Sequence, residues 1–211
     1  MQRWRQLVGP AWLAGLLAGQ NVCAAPPGKW RLLEIANDGL RLFRMGHIPG
    51  AGYIDTGELE RGPTWRKVAD DELLAVLLRN GVRHDTTVIL YGRNNLAAAR
   101  AAHLMLYAGV QDVRLLDGGF DAWTAAGGVL ECGPPHAGVP AADFGHSFPA
   151  NPHYLVDTQG VLDLLRQGED AVIASIRTWS EYTGQGSGYP YIAAKGEIPG
   201  ARWGAQAGMA T

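Results

Sequence analysis

A repeat constrains this chain more than any other feature. Gly46-His47-Ile48-Pro49-Gly50-Ala51 returns 150 residues later as Gly196-Glu197-Ile198-Pro199-Gly200-Ala201, with five of six positions identical. A second match lies upstream at almost the same offset: Val8 and Leu13–Leu17 align with Val156 and Val161–Leu165, 148 residues on. Between these anchors, Trp30–Ile35 parallels Ala171–Arg177, each a short apolar run of the kind that forms a buried strand. Helix, strand, loop and G-x-I-P-G-A therefore occur twice in one order. Repetition at a fixed offset means one supersecondary unit built twice.

The first copy reads as alternating strands and helices. Asp70-Asp71-Glu72 opens a helix with acids at its positive end; Leu73, Leu74, Leu77 and Leu78 form its apolar face, and Asn80-Gly81 closes it. Thr86–Tyr91 is rich in β-branched and apolar residues, which suits the interior of a parallel sheet. Gly92-Arg93-Asn94-Asn95 is a turn, and Leu96–Ala108 is an alanine-rich helix ended by Gly109. Val113–Leu116 is the next strand, followed by Asp117-Gly118-Gly119 and a short helix through Phe120 and Trp123. This alternation predicts an α/β fold with a mainly parallel sheet flanked by helices, followed by an incomplete second copy.

The expected organisation is a first domain over residues 7–130, a proline-rich extended linker over 131–151, and a second, truncated copy over 152–211. Because that copy lacks most of a sheet, residues 152–211 are expected to be poorly ordered or to lean on the first copy. The N-terminus has two readings. Arginines in Met1–Arg5 followed by the uncharged stretch Leu7–Gly19 outline a secretory signal peptide. The repeat favours the other reading, a first domain helix with Pro10 at its opening turn, since the second copy keeps the same element. The apolar run is too short to cross a membrane.

Charge narrows the function classes. Of 211 residues, 18% are charged and the net charge is -2, which leaves no basic excess for a phosphate backbone. No nucleic-acid or membrane partner is expected. The two cysteines, Cys23 and Cys132, form no CxxC pair and sit in no zinc-ligand spacing, so they are read as incidental and no metal is predicted. Their separation gives no support for a disulfide.

A polar turn between strand and helix is the recurring place for a reactive thiol or a bound anion, because helix amides point at it. Here the turn is Gly92-Arg93-Asn94-Asn95, which contains no nucleophile. Arg93 is read as an anion ligand or, more simply, as a solvated loop arginine; Asn94 and Asn95 are read as caps. His47 is read as a base or, more simply, as a loop-packing residue; Glu197 replaces it in the second copy. Trp12, Trp30, Trp65, Trp123, Trp179 and Trp203 are read as core or interface anchors, and Asp157 and Asp163 as a solvated helix face.

Gly46–Ala51, Thr87–Tyr91 and Leu116-Asp117-Gly118-Gly119-Phe120 with Trp123 resemble the rhodanese domain. The likeness is to tandem thiosulfate/3-mercaptopyruvate sulfurtransferases, and among them to exported bacterial members with three rhodanese domains. In that comparison the chain resembles a middle domain plus the opening of a last one. The resemblance implies transfer of sulfane sulfur from a small anionic donor to a thiol acceptor through a cysteine persulfide, without metal or organic cofactor. It places Gly92 where such a domain carries its cysteine, so copy one resembles the family's non-catalytic domain. At equal spacing the loop of copy two falls past residue 240, and the chain is expected to be inactive alone. The resemblance also places Arg177 where an arginine binds anionic substrate; a surface role is the alternative. A phosphatase of related fold needs a cysteine five residues before an arginine, which Arg100 lacks. A non-catalytic module for protein binding or domain packing remains the second reading. Resemblance implies the periplasm, with the cytoplasm as the alternative; the oligomeric state is left open.

Overall fold

The computed structural model describes residues 6–167 and 171–204, which fall into two compact units divided after Leu155. In the first unit the elements are β1 (Leu7–Val8), α1 (Pro10–Leu17), β2 (Trp30–Ala36), α2 (Leu40–Met45), β3 (Gly52–Asp55), β4 (Glu60–Arg61), β5 (Arg66–Lys67), α3 (Asp70–Arg79), β6 (Thr87–Tyr91), α4 (Asn95–Ala108), β7 (Asp112–Leu116) and α5 (Gly119–Ala125). Five strands form one sheet in the order β1-β7-β6-β2-β3, and every pairing in it is parallel. β4 and β5 form a separate hairpin, and among the described residues no helix is long and apolar enough to cross a membrane.

Strand alternation divides the core into two layers. Leu33 and Ile35 of β2 and Val88 and Leu90 of β6 face α3 and α4, where Leu73, Leu77, Ala98, Ala101 and Leu104 are buried. Leu32, Ile89 and Tyr91 face the other way, onto Leu13 of α1, Phe43 of α2, and Phe120 and Trp123 of α5. Both faces are covered, and β6 is buried at every position. Small alanines let α4 approach the sheet closely. Gly52 opens β3 in close quarters: a Cβ there would lie 2.8 Å from the Leu33 side chain and 2.9 Å from the Arg31 guanidinium.

Residues 7–17 belong to this core. β1 pairs with β7, with Val8 opposite Leu116, and Leu13 is fully buried. Residues 131–151 are extended, as their prolines suggest, yet they bind the first unit along their length rather than hanging free. Glu131 and His47 exchange two backbone hydrogen bonds of 2.9 Å, and Ala141 donates to Leu78 O at 2.9 Å. Phe144 enters the core beside Phe148, and its carbonyl accepts from His84 N at 3.1 Å. Ala150 and Asn151 cap the last carbonyls of α4, at Ala108 (3.1 Å) and Tyr107 (3.0 Å). Those helix-end acceptors need donors, and the segment supplies them. It is a strap, not a spacer.

The second unit contains α6 (Thr158–Gln167), β8 (Ala174–Ser175), α7 (Trp179–Tyr182) and β9 (Arg202–Trp203). β8 and β9 pair in parallel, Ala174 with Arg202 and Ser175 with Trp203, as Leu33 pairs with Gly52 and Glu34 with Tyr53 in the first unit. The turns before β3 and β9 also match. Ala51 donates to Ile48 O at 3.1 Å and Ala201 to Ile198 O at 2.9 Å, with Gly50 and Gly200 both at positive φ (78° and 82°). Val156, Val172 and Ile176 are exposed. Asp157 caps Gly160 N at 2.8 Å, and Asp163 pairs with Arg166 at 3.1 Å on the helix surface.

The tryptophans divide. Trp123 is buried and Trp12 and Trp30 pack at the core's edge, but Trp65 is exposed between β4 and β5. Trp179 and Trp203 are partly exposed and pack edge-to-face on each other at 5.0 Å.

Candidate functional site

The sheet order reverses between β2 and β6, and ligands of open parallel sheets bind beyond the strand C-termini at such a point. Glu34 near the end of β2 and Gly92-Arg93-Asn94 after β6 meet there. Asn94 caps α4 as expected, its Oδ1 accepting from Leu96 N at 3.0 Å. Asn95 sits against Gly119: a Cβ on Gly119 would come within 2.2 Å of Asn95 Oδ1. Gly92 O accepts from Phe120 N at 3.1 Å, which ties the loop to α5.

Arg93 is about a quarter exposed, and its inner side is engaged. Its Nε donates to Glu34 Oε1 at 2.9 Å, and Glu34 is wholly buried. Its Nη2 donates to Gly46 O (2.5 Å) and Leu42 O (3.2 Å), the carbonyls at the end of α2. The guanidinium stacks 3.9 Å above the Phe120 ring. Beside this pair the Tyr91 hydroxyl accepts from Ile48 N at 3.2 Å, and burial, followed by the Glu34 carboxylate, drives its pKa far upward. The space beyond the C-terminal ends of β2 and β6 is occupied by an ion pair whose carboxylate is fully buried. Glu34 was not foreseen as a site residue; one acid in the apolar run Leu32–Ile35, on the strand face shared with Tyr91, was the available signal.

Gly92 has no room for a side chain. A Cβ there would lie 2.6 Å from Asn94 O and 3.0 Å from Ile35 O, both backbone atoms. The constraint is space, since Gly92 is not among the glycines at positive φ.

The remaining candidates lie apart from this loop. Arg177 follows β8 in the second unit, in a groove it shares with Ser175, Lys195 and Glu197, and its Nε donates to Ser175 Oγ at 3.3 Å. Cys23 and Cys132 are exposed free thiols; Cys132 Sγ donates to Met45 O at 3.2 Å. Arg100 pairs with Glu60 at 2.7 Å. His47 is fully buried and stacked on Phe43, in keeping with a packing role.

The fold defines a class: residues 28–126 match the rhodanese-like domain, and the first unit has the rhodanese fold. The thiosulfate sulfurtransferase YnjE of Escherichia coli (strain K12) is 50% identical over 204 residues, covering 97% of this chain and 47% of the relative. The crystal structure of YnjE superposes with a TM-score of 0.91 at 50% identity over 97% of this chain and 49% of that one. An anaerobic ergothioneine biosynthesis enzyme from Chlorobium limicola, solved with trimethyl histidine, gives 0.88 at 33% identity, covering 97% of this chain and 51% of its own. The chain thus spans about half the length of these relatives, one of which is named as a thiosulfate sulfurtransferase.

Proposed function

We propose that this chain is the non-catalytic rhodanese module, with the opening of a second, of a sulfurtransferase whose cysteine lies outside these residues. In this reading the whole protein takes the outer sulfur of thiosulfate, or the sulfur of 3-mercaptopyruvate, onto a cysteine thiolate. Sulfite or pyruvate leaves. A thiophilic acceptor then removes the sulfur from the persulfide and restores the thiolate. Arg177 supplies positive charge to the anionic donor.

The observation that carries the reading is the closed loop after β6. Gly92 stands where a nucleophile would stand, without space for one, and Arg93 with Glu34 fills the anion's place. The relatives named for thiosulfate transfer support the class of reaction. The expected result is that the purified chain forms no thiocyanate from thiosulfate and cyanide above a Cys23→Ala/Cys132→Ala control, and that Gly92→Cys gains no turnover while losing about 1–3 kcal/mol of stability through overpacking. Turnover by either chain contradicts the proposal. A module that only binds or packs draws on the same filled site. Intact mass of the native gene product after thiosulfate treatment separates the two: a product extending past these residues and gaining one sulfur supports the enzyme, and one limited to them supports the binding module.

A further inference from the structure

A second group of polar side chains lies where the strap crosses the G-H-I-P-G-A turn. His47 is fully buried, its ring 3.9 Å from Phe43 in a parallel stack. Its Nδ1 lies 3.0 Å from Phe43 O. A carbonyl only accepts, so this nitrogen carries a proton, and a ring with that single N–H has its lone pair at Nε2. Buried Nε2 has no hydrogen-bond partner. It faces Glu131 Oε2 at 3.9 Å, too far for a hydrogen bond, and Glu131 Oε1 lies 2.7 Å from His136 Nε2. One ligand atom from each of the three residues lies within 4.8 Å of the others. Nε2 turned toward a carboxylate without a hydrogen bond calls for a positive charge between them, a proton or a metal ion, and the second imidazole within reach favours the metal.

We propose that His47 Nε2, a Glu131 carboxylate oxygen and His136 Nε2 form a binding site for a divalent transition metal, Zn²⁺ foremost, that clips the strap to the turn. Two imidazoles and one carboxylate suit Zn²⁺ or Co²⁺ and not the oxygen-seeking Mg²⁺ or Ca²⁺. The Nδ1–H bond to a carbonyl is the outer contact that fixes the tautomer and orientation of a ligating imidazole. The ligand backbones are already placed: His47 and Glu131 through their paired 2.9 Å bonds, His136 through its amide on Ala51 O at 2.9 Å. Gly50 N holds Glu131 Oε2 at 3.0 Å. Tetrahedral Zn²⁺ with bonds of about 2.0–2.1 Å needs ligand atoms roughly 3.3 Å apart. Closing the gap falls to His136, whose ring is about half exposed: it gives up its 2.7 Å bond to Glu131 Oε1 and carries its proton on Nδ1 when Nε2 ligates, while His47 stays fixed. The Cys132 thiol is engaged with Met45 O, so solvent takes the fourth position.

The test uses the full chain, freed of metal by chelation. Zn²⁺ is titrated by calorimetry, Co²⁺ by visible absorption, and Tm is followed with and without Zn²⁺. Wild type is expected to bind one Zn²⁺, to develop tetrahedral Co²⁺ bands and to melt higher with metal. His136→Ala and Glu131→Gln, both at partly exposed positions, are expected to bind about a hundredfold more weakly or worse and to lose the Tm shift, while exposed His153→Ala behaves as wild type. Absence of stoichiometric binding by wild type overturns the site. So does near-wild-type affinity in either ligand variant, or an equal loss in His153→Ala.

Discussion

At the scale of single residues, the contact between Arg93 and Glu34 governs the first unit's site. A buried carboxylate survives only with a partner, and Arg93 is the one that reaches it. Arg93→Met is expected to cost about 3–5 kcal/mol in urea denaturation, because Glu34 is left charged and enclosed. The double variant Glu34→Gln/Arg93→Met should recover part of that loss. An effect of Arg93→Met within about 0.5 kcal/mol marks a solvated arginine and removes the pair from the account. The sequence showed the strand, the polar turn at Gly92 and the alanine-rich helix, because these are local patterns; that Gly92 takes a nucleophile's place is what the resemblance implies. It did not show Arg93 engaged: Glu34 lies 59 residues away, and only the parallel pairing of β2 with β6 joins them. His47, Glu131 and His136 escaped for the same reason; no local spacing links them.

Elements were legible where one stretch of chain determines its own state. The apolar run that became β6, the helix from Asn95 to Ala108 closed by a left-handed Gly109, and the acid-led helix at Asp70 all follow local rules. The strap does not. Prolines and weak periodicity describe an extended chain equally well whether it is bound or free, and the difference lies in partners such as Leu78 and Ala108. Phe144 is the residue that tests this. It is buried in the α3–α4 layer of the core, packed edge-on against Phe148 at 5.1 Å. Phe144→Ala should lower stability by about 3–5 kcal/mol, the range for a buried aromatic. A free linker would give a change near zero by the same denaturation measurement.

Across the whole molecule, the two units differ in how far their sheets are built. β6 has a hydrogen-bonded neighbour on each side, whereas β8 and β9 form a pair of two residues each. Two-stranded pairs are marginal in water. Amides of Val88–Tyr91 are expected to exchange with the global unfolding free energy, and those paired across β8 and β9 about a hundredfold faster or more. Equal protection in both, read by mass spectrometry, would mean that the second unit is stabilised by more than its own strands. The repeat that announced the two copies was the surest guide from sequence, since its turn and register recur in both.

That shared register creates a problem during folding. A nascent chain holding two near-identical turns, each followed by a strand that seeks a parallel neighbour, can seat the later strand on the earlier one's partner. The two strands differ at the entry position: Gly52 pairs with Leu33 in one and Arg202 with Ala174 in the other. A Cβ at Gly52 would press within 2.8 Å of the Leu33 side chain and 2.9 Å of the Arg31 guanidinium, so a misplaced strand enters only if those side-chain ends shift. The glycine thereby makes the correct seating the less crowded one.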